Sequence, residues 1–281
     1  MSNPVALITG PTSGIGYVTA VELSKKGFDL ILVARNKQKV EALQKDIGDC
    51  VTTDFISCDL GSIESVKAAV TEIRNRYTKI DVLINNAGLL VQNKEKSVDG
   101  IELTFATNHM GPFVLTTGLV SLLKPGARVV NVASEAHFFA FFSIDKLVDP
   151  DFYQDLIVYG RSKLANILFS NELSDRLFTY GVTSNALHPG TVASNFAGNG
   201  NGLTAAFMKL FRPFFKTVKQ GAATTIYLAS SPEVQGITGK YFVGKKSGRS
   251  SSAAKNKALG KQLWKLSEEL VEQKTGKAQT A

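Results

Sequence analysis

Val5-Ala6-Leu7-Ile8-Thr9-Gly10-Pro11-Thr12-Ser13-Gly14-Ile15-Gly16 is the stretch that decides the fold. Its first five residues are apolar enough for a short buried strand. Glycines follow at a G-x-x-x-G-x-G spacing, and a helical pattern then runs to about Lys26. Strand, glycine turn and helix together are the local context of a dinucleotide-phosphate site. Glycines allow a tight turn and close approach of a pyrophosphate. The helix N-terminus offers free N–H groups and a positive dipole end. Gly10, Thr12, Ser13, Gly14, Ile15 and Gly16 are therefore expected to contact such a cofactor.

The same alternation continues downstream. Strands are expected at 29–35, 51–57, 81–85, 128–134, 182–187 and 241–243. Helical periodicity covers 37–47, 63–77, one long helix over 101–123, the segment through Tyr159 and Lys163 to about Tyr180, and 220–229. A last helix over 255–273 carries Leu259, Leu263, Leu266 and Leu270 along one face. Repeated βα units with right-handed crossovers leave one architecture in view. It is an α/β, doubly wound, Rossmann-type parallel sheet of about seven strands with helices on both faces. No internal repeat or long linker divides residues 1–281, so a single domain is expected.

Ligands of such sheets bind outside the carboxyl ends of the strands. At the end of the second strand, Ala34 carries no charge and Arg35 brings a positive one. An acidic residue there would select NAD by its ribose diol. Arg35 can instead pair with a 2′-phosphate, which points to NADP(H), unless it is simply a solvent-facing arginine. Asp59-Leu60 could reach the adenine, or Asp59 could cap the next helix. Asn85-Asn86-Ala87-Gly88 suits a sheet edge that must satisfy backbone groups and admit a ligand. Tyr159 and Lys163 are four apart, hence on one helix face. An ammonium beside a phenol lowers a pKa that is ordinarily about 10. Tyr159 with Lys163 is thus a sensible proton-transfer unit.

The totals exclude several other functions. Net charge is +8 and pI about 9.3, yet no run of basic residues suits a nucleic-acid arm. Cys50 and Cys58 lack metal-ligand or disulfide-framework spacing, and no metal site is expected. No stretch approaches the roughly 20 apolar residues that span a bilayer. A soluble cytoplasmic protein with at most peripheral membrane contact is expected.

Taken together, these residues resemble the short-chain dehydrogenase/reductase family. The resemblance rests on Thr9-Gly10, Gly14, Gly16, Asp59, Asn85-Asn86-Ala87-Gly88, Asn108, Ser134, Tyr159, Lys163 and Pro189-Gly190, in the family's order. Ser134-Glu135-Ala136-His137, the segment from Tyr159 to Asn166, and the segment from Asn185 to Gly190 look like its retinol dehydrogenase-like branch, which includes WW-domain oxidoreductases. The resemblance implies that Tyr159 exchanges the proton. Lys163 would lower its pKa and hold the nicotinamide ribose. Ser134 would hydrogen-bond the substrate oxygen, and Asn108 would fix a water chain from Lys163 to solvent. Asn86, Ala87, Gly88, Pro189, Gly190, Thr191, Val192 and Ser194 would line the cofactor, with Ser194 or Thr191 at the carboxamide. Pro112 stands where relatives often carry His, and the connector after Ser134 is rich in Phe. Both features leave retinoid specificity open.

Two apolar segments should wall the substrate pocket. One runs from Phe138 to Ile144 and includes Phe139, Phe141 and Phe142, with His137 just before it. The other is a lid over about 196–219 that contains Phe196 and Phe207, hinged at the glycines of 198–202. They suit a bulky hydrophobic carbonyl or alcohol, although each Phe could instead pack beneath a loop. The stripe Phe169, Leu173, Leu177 suits either a homodimer contact or core. The leading expectation is an NADP(H)-dependent carbonyl–alcohol oxidoreductase. The rival is a catalytically silent NADPH-binding sensor or scaffold.

Overall fold

The computed structural model describes residues 3–140, 143–190 and 216–276. Eight strands form one sheet in the order β3-β2-β1-β4-β5-β6-β7-β8. They are β1 (Val5–Thr9), β2 (Asp29–Ala34), β3 (Thr53–Ser57), β4 (Ile80–Asn85), β5 (Leu123–Val132), β6 (Thr183–His188), β7 (Tyr241–Val243) and β8 (Lys246–Ser247). Every pairing is parallel except that of β7 with β8. The eighth strand exceeds the expected number because Gly244 and Lys245 both adopt left-handed φ angles, 57° and 67°. Two such residues form the tight turn that suits a twisted hairpin.

The helices are α1 (Gly14–Ser24), α2 (Lys37–Ile47), α3 (Ile63–Arg76), α4 (Leu103–Phe105), α5 (Gly111–Gly118), α6 (Asp155–Leu177), α7 (Val218–Ser230) and α8 (Lys257–Gly276). Strand residues alternate between two cores. Ala6, Ile8, Leu30 and Leu32 pack with α1, α2 and α7 through Leu23, Leu43 and Leu228. Leu7, Ile31, Val33 and Val129 pack with α3, α5, α6 and α8 through Val66, Phe113, Leu168 and Trp264. Burial on both faces explains why these strands read as continuous apolar runs.

The long helix expected over 101–123 is broken. A π turn, Ala106–Met110, separates α4 from α5, with the Gly111 N–H donating to the Ala106 carbonyl. Pro112 follows directly, and in a regular α-helix its ring would collide with the carbonyl of Asn108. The wider turn relieves that conflict. The chain then enters β5 at Leu123, earlier than the expected 128, through an irregular register between Ile80 and Val82 of β4.

α8 lies along α6. Trp264 stands 5.0 Å from Phe113 and 5.8 Å from Phe169, and Arg176 lies 4.0 Å above its ring. Phe169, Leu173 and Leu177 are consequently buried. The stripe read as core or dimer contact is core, covered by the chain's own last helix. No helix among the described residues is long and apolar enough to cross a membrane.

Candidate active site

The glycine turn is shaped by its contacts. Gly10 and Gly14 adopt left-handed φ angles of 63° and 55°, where a side chain would be strained. A Cβ on Gly16 would lie 2.2 Å from the Gly10 carbonyl oxygen and 2.5 Å from Asn86 Nδ2. Asn86 closes the turn from the neighbouring strand, donating to the carbonyls of Thr9 (2.9 Å) and Gly10 (3.3 Å). Thr9 completes the clasp. Its Oγ1 accepts from the N–H groups of Asn86 and Ala87, each at 3.0 Å. Its only signal in the sequence is a hydroxyl ending an apolar strand.

Ser13 precedes α1 without a side-chain capping bond, and no acidic residue occupies the first turn. Those N–H groups and the positive helix end face the carboxyl edge of the sheet, as an anion would require. Arg35 is exposed just beyond β2 and makes no ion pair among the described residues. Asp59 does not cap the next helix. Ser62 does, accepting from Ser65 N at 3.3 Å, while Asp59 Oδ1 holds Gly61 N at 2.9 Å. Asp59 is exposed at the end of β3, whereas Leu60 is buried against Gly111. These features fit an adenine dinucleotide with a 2′-phosphate.

Asn85 and Asn86 divide their work. Asn85 points into the core and donates to Thr116 Oγ1 (3.0 Å) and Asn131 Oδ1 (2.9 Å). Asn131 in turn donates to Ser184 Oγ at 3.2 Å, drawing β4, β5 and β6 together. Asn108 lies in the π turn, wholly buried. Its amide clamps Leu89, accepting from its N–H (2.7 Å) and donating to its carbonyl (2.9 Å). It also donates to Ser162 Oγ (3.0 Å), which itself donates to the Tyr159 carbonyl (2.8 Å). Asn108 is thereby fixed to the helix that carries Tyr159.

Ser134 stands two residues beyond β5, at the start of a 3-10 turn over Glu135–Phe139. Its Oγ accepts from Ala136 N at 3.1 Å and shares a hydrogen bond with the Tyr159 hydroxyl. Gly160 makes this meeting possible, because a Cβ there would lie 2.6 Å from the Ala136 carbonyl oxygen. In an ordinary helix, Gly160→Ala would stabilise by up to about 1 kcal/mol. Here it is expected to destabilise by about 1–3 kcal/mol through overpacking. Denaturant midpoints check the sign. Turnover should fall further than cofactor affinity, because the Ser134 turn must retreat from Tyr159.

Lys163 is buried and donates to the Val132 carbonyl at 3.1 Å, an acceptor it shares with Asn166 Nδ2 at 3.3 Å. A Cβ on Gly88 would lie 3.0 Å from Lys163 Nζ and 3.3 Å from Asn108 Oδ1, so these groups converge on one small space. Lys163 Nζ is 5.5 Å from the centre of the Tyr159 ring. The expectation that Lys163 sets the acidity of Tyr159 meets a different balance. Burial pushes the Tyr159 pKa up, and the opposing influence is the Ser134 hydrogen bond. Burial also holds Lys163 down to about 8.

His137, expected in the substrate pocket, is buried with both nitrogens engaged. Nδ1 donates to the Ser134 carbonyl at 2.7 Å, and Nε2 accepts from Ser251 N at 3.1 Å. It braces the turn from below, and burial lowers its pKa in keeping with the neutral form. The Phe138 ring lies tilted against it at 4.1 Å, and Phe138 and Phe139 are exposed at the rim. Tyr241 lies edge-on to His137 at 5.1 Å. Its buried hydroxyl has no hydrogen-bond partner among the described residues. His188 ends β6 and accepts at Nδ1 from Glu135 N (3.3 Å), with Nε2 3.4 Å from the Glu135 carboxylate. Neither the place of Tyr241 nor the pairing of His188 with Glu135 could be read from local pattern, since each depends on contacts between segments far apart in the chain. Pro189 and Gly190 follow His188, with Gly190 at a φ of 93°. Thr191, Val192, Ser194, Phe196, Phe207, Phe141 and Phe142 lie outside the described residues, as does the expected lid up to residue 215. Its last residues, Val218 and Lys219, begin α7.

A glycine turn opening onto a helix N-terminus and a Ser–Tyr–Lys set, on one edge of a doubly wound sheet, are the arrangement of a nucleotide-dependent oxidoreductase. The family model described as short chain dehydrogenase matches residues 4–202. Human retinol dehydrogenase 14 is 38% identical, covering 96% of this chain and 87% of its own. Brassica napus short-chain dehydrogenase TIC 32 B, chloroplastic, is also 38% identical (95% and 88%). The Drosophila melanogaster WW domain-containing oxidoreductase is 36% identical (95% and 68%). The chain belongs to the short-chain dehydrogenase family. A solved structure from Mycobacterium paratuberculosis superposes with a TM-score of 0.78 at 30% identity, covering 96% of this chain and 93% of that one. A Burkholderia cenocepacia short chain dehydrogenase in complex with NADP shares the fold at a TM-score of 0.70 and 22% identity, covering 85% and 95%.

Proposed function

We propose that this chain interconverts a carbonyl and an alcohol on a bulky hydrophobic small molecule of retinoid, steroid, polyketide or lipid type, using NADP(H). The observation that carries the reading is the hydrogen-bonded Ser134–Tyr159 pair, with buried Lys163 behind it, on the same sheet edge as the glycine turn. Gly10, Gly14 and Gly16 with the start of α1 would receive the pyrophosphate, and Arg35 the 2′-phosphate. The nicotinamide supplies or takes the hydride when the cofactor is bound. In reduction, negative charge grows on the substrate oxygen, and the Ser134 and Tyr159 hydroxyls donate to it. Tyr159 then gives its proton to that oxygen, and Lys163 with Asn108 leads a replacement proton in from solvent to Tyr159. In oxidation the proton runs back to Tyr159. The exposed Phe138 and Phe139 offer an apolar entrance, and the relatives named retinol dehydrogenases are consistent with a lipophilic substrate. A soluble cytoplasmic setting, at most peripheral contact with membranes, and a single cofactor-binding domain belong to the same proposal.

The test is turnover of a panel of lipophilic aldehydes and ketones, read as consumption of NADPH. Consumption with several apolar carbonyls is expected. Tight NADPH binding with no turnover across the panel would instead favour the sensor or scaffold reading. Coenzyme choice tests Arg35 separately. Arg35→Asp should lower kcat/KM with NADPH by roughly 10–100-fold, the scale of a charged phosphate contact, and leave NADH at least as effective as before.

A further inference from the structure

We propose that Lys216 is an additional cofactor ligand, a cation that holds the pyrophosphate from the side opposite the glycine turn. The inference rests on the dinucleotide reading above and assigns a residue to it. The chain leaves the described core at Gly190 and returns at Lys216, and the two ends meet. A Cβ on Gly190 would lie 2.5 Å from Lys216 Cδ, 2.9 Å from Cε and 3.0 Å from Nζ. The lysine stem thus lies directly over Gly190, whose left-handed φ of 93° suits glycine.

The backbone behind Lys216 is fixed. Thr217 begins a capping box in which Thr217 Oγ1 accepts from Gln220 N (3.2 Å) and Gln220 Oε1 accepts from Thr217 N (2.9 Å). α7, which follows, packs beside α1 on the same face of the sheet. α1 leaves the carboxyl end of β1, and α7 leads into the amino end of β7. Both helices therefore start at the carboxyl edge, with Lys216 at the mouth of the second. Lys216 is half-buried and makes no ion pair among the described residues. Its charge is close enough to His188 to oppose protonation there, against the pull of Glu135. A half-buried ammonium with no carboxylate partner among the described residues, at the carboxyl edge that a dinucleotide would cross from α1 toward Ser134, calls for an anion. Lysine commonly serves phosphates as such a point charge.

The experiment measures dissociation constants of NADPH, NADH and ADP-ribose for wild type, Lys216→Gln and Lys216→Arg, with thermal midpoints to verify folding. All three nucleotides carry the pyrophosphate, but only NADPH carries the 2′-phosphate. Lys216→Gln should weaken all three by about tenfold, the scale of one charge-assisted bond. Lys216→Arg should stay within about threefold of wild type, since it keeps the charge. Binding by Lys216→Gln within twofold of wild type overturns the inference. So does a loss confined to NADPH, which would move Lys216 to the 2′-phosphate. A wild type that binds none of the three fails differently and sinks the dinucleotide reading itself.

Discussion

Tyr159→Phe is expected to lower kcat/KM for carbonyl reduction by about 10²–10⁴-fold, the usual range for a positioned proton donor. The substitution removes one oxygen and leaves the ring packed in α6, so folding should be almost unchanged. Ser134 loses its hydroxyl partner but remains held by Ala136 N at 3.1 Å. NADPH affinity should therefore stay within a few-fold of wild type. That split between chemistry and cofactor affinity is the diagnostic. A variant that turns over the same substrates as fast as wild type would remove Tyr159 from the proton step. Because burial raises the Tyr159 pKa, the protonated, donating form prevails through the neutral range. Reduction should hold up through neutral pH and decline only in strong alkali. The reverse reaction, which needs the phenolate, should rise with pH.

Lys163→Met should move activity and stability in opposite directions. Turnover should fall by at least about 10², because the group behind Tyr159 loses its charge and its proton path. The folded protein, purified without added dinucleotide, should become more stable. Lys163 ordinarily has a pKa of 10.5 and is held at about 8 by burial, so its charge opposes folding. Below about pH 8 the lysine is protonated in both states and the whole penalty applies. Between about 8 and 10.5 the unfolded chain holds more protons than the folded one, and the penalty fades. The methionine variant should thus gain up to about 3 kcal/mol at pH 7, and the gain should vanish as pH rises through that window. The Val132 carbonyl keeps a donor, Asn166 Nδ2 at 3.3 Å. Chemical denaturation at several pH values reads the effect. A variant less stable than wild type at pH 7 would show that Lys163 contributes packing or hydrogen bonding that outweighs its buried charge. A gain of stability with loss of turnover is the usual relation between a functional site and its scaffold.

Where the sequence succeeded, the signal was local. The apolar run from Val5 and the glycines after it obey backbone rules that act within a dozen residues. The boundaries of α2 matched residue for residue because Asn36 caps the helix, accepting from Lys39 N, and Gly48 ends it at a φ of 71°. The expected long helix failed for an equally local reason, a proline whose conflict with the helix is resolved by a π turn rather than a stop. That outcome depends on Asn108 being clamped to Leu89, a contact between separate segments.

The residue types of the site, Ser134, Tyr159, Lys163 and Asn108, and their order were determined by the sequence alone, as was the strand–turn–helix unit that predicts a cofactor. Only the tertiary structure decided how those groups bear on one another. Thr9 became the hub of the glycine turn. His137 became a brace rather than a pocket wall. Phe169, Leu173 and Leu177 became core beneath α8. Lys163 turned out to carry a depressed pKa of its own, while the Ser134 hydrogen bond is what pulls the Tyr159 pKa down against burial. The physical reason is range. Backbone preference and periodicity act over a few residues and are written in the local pattern. Burial, and the hydrogen bonds that answer it, depend on which distant segments the fold brings together.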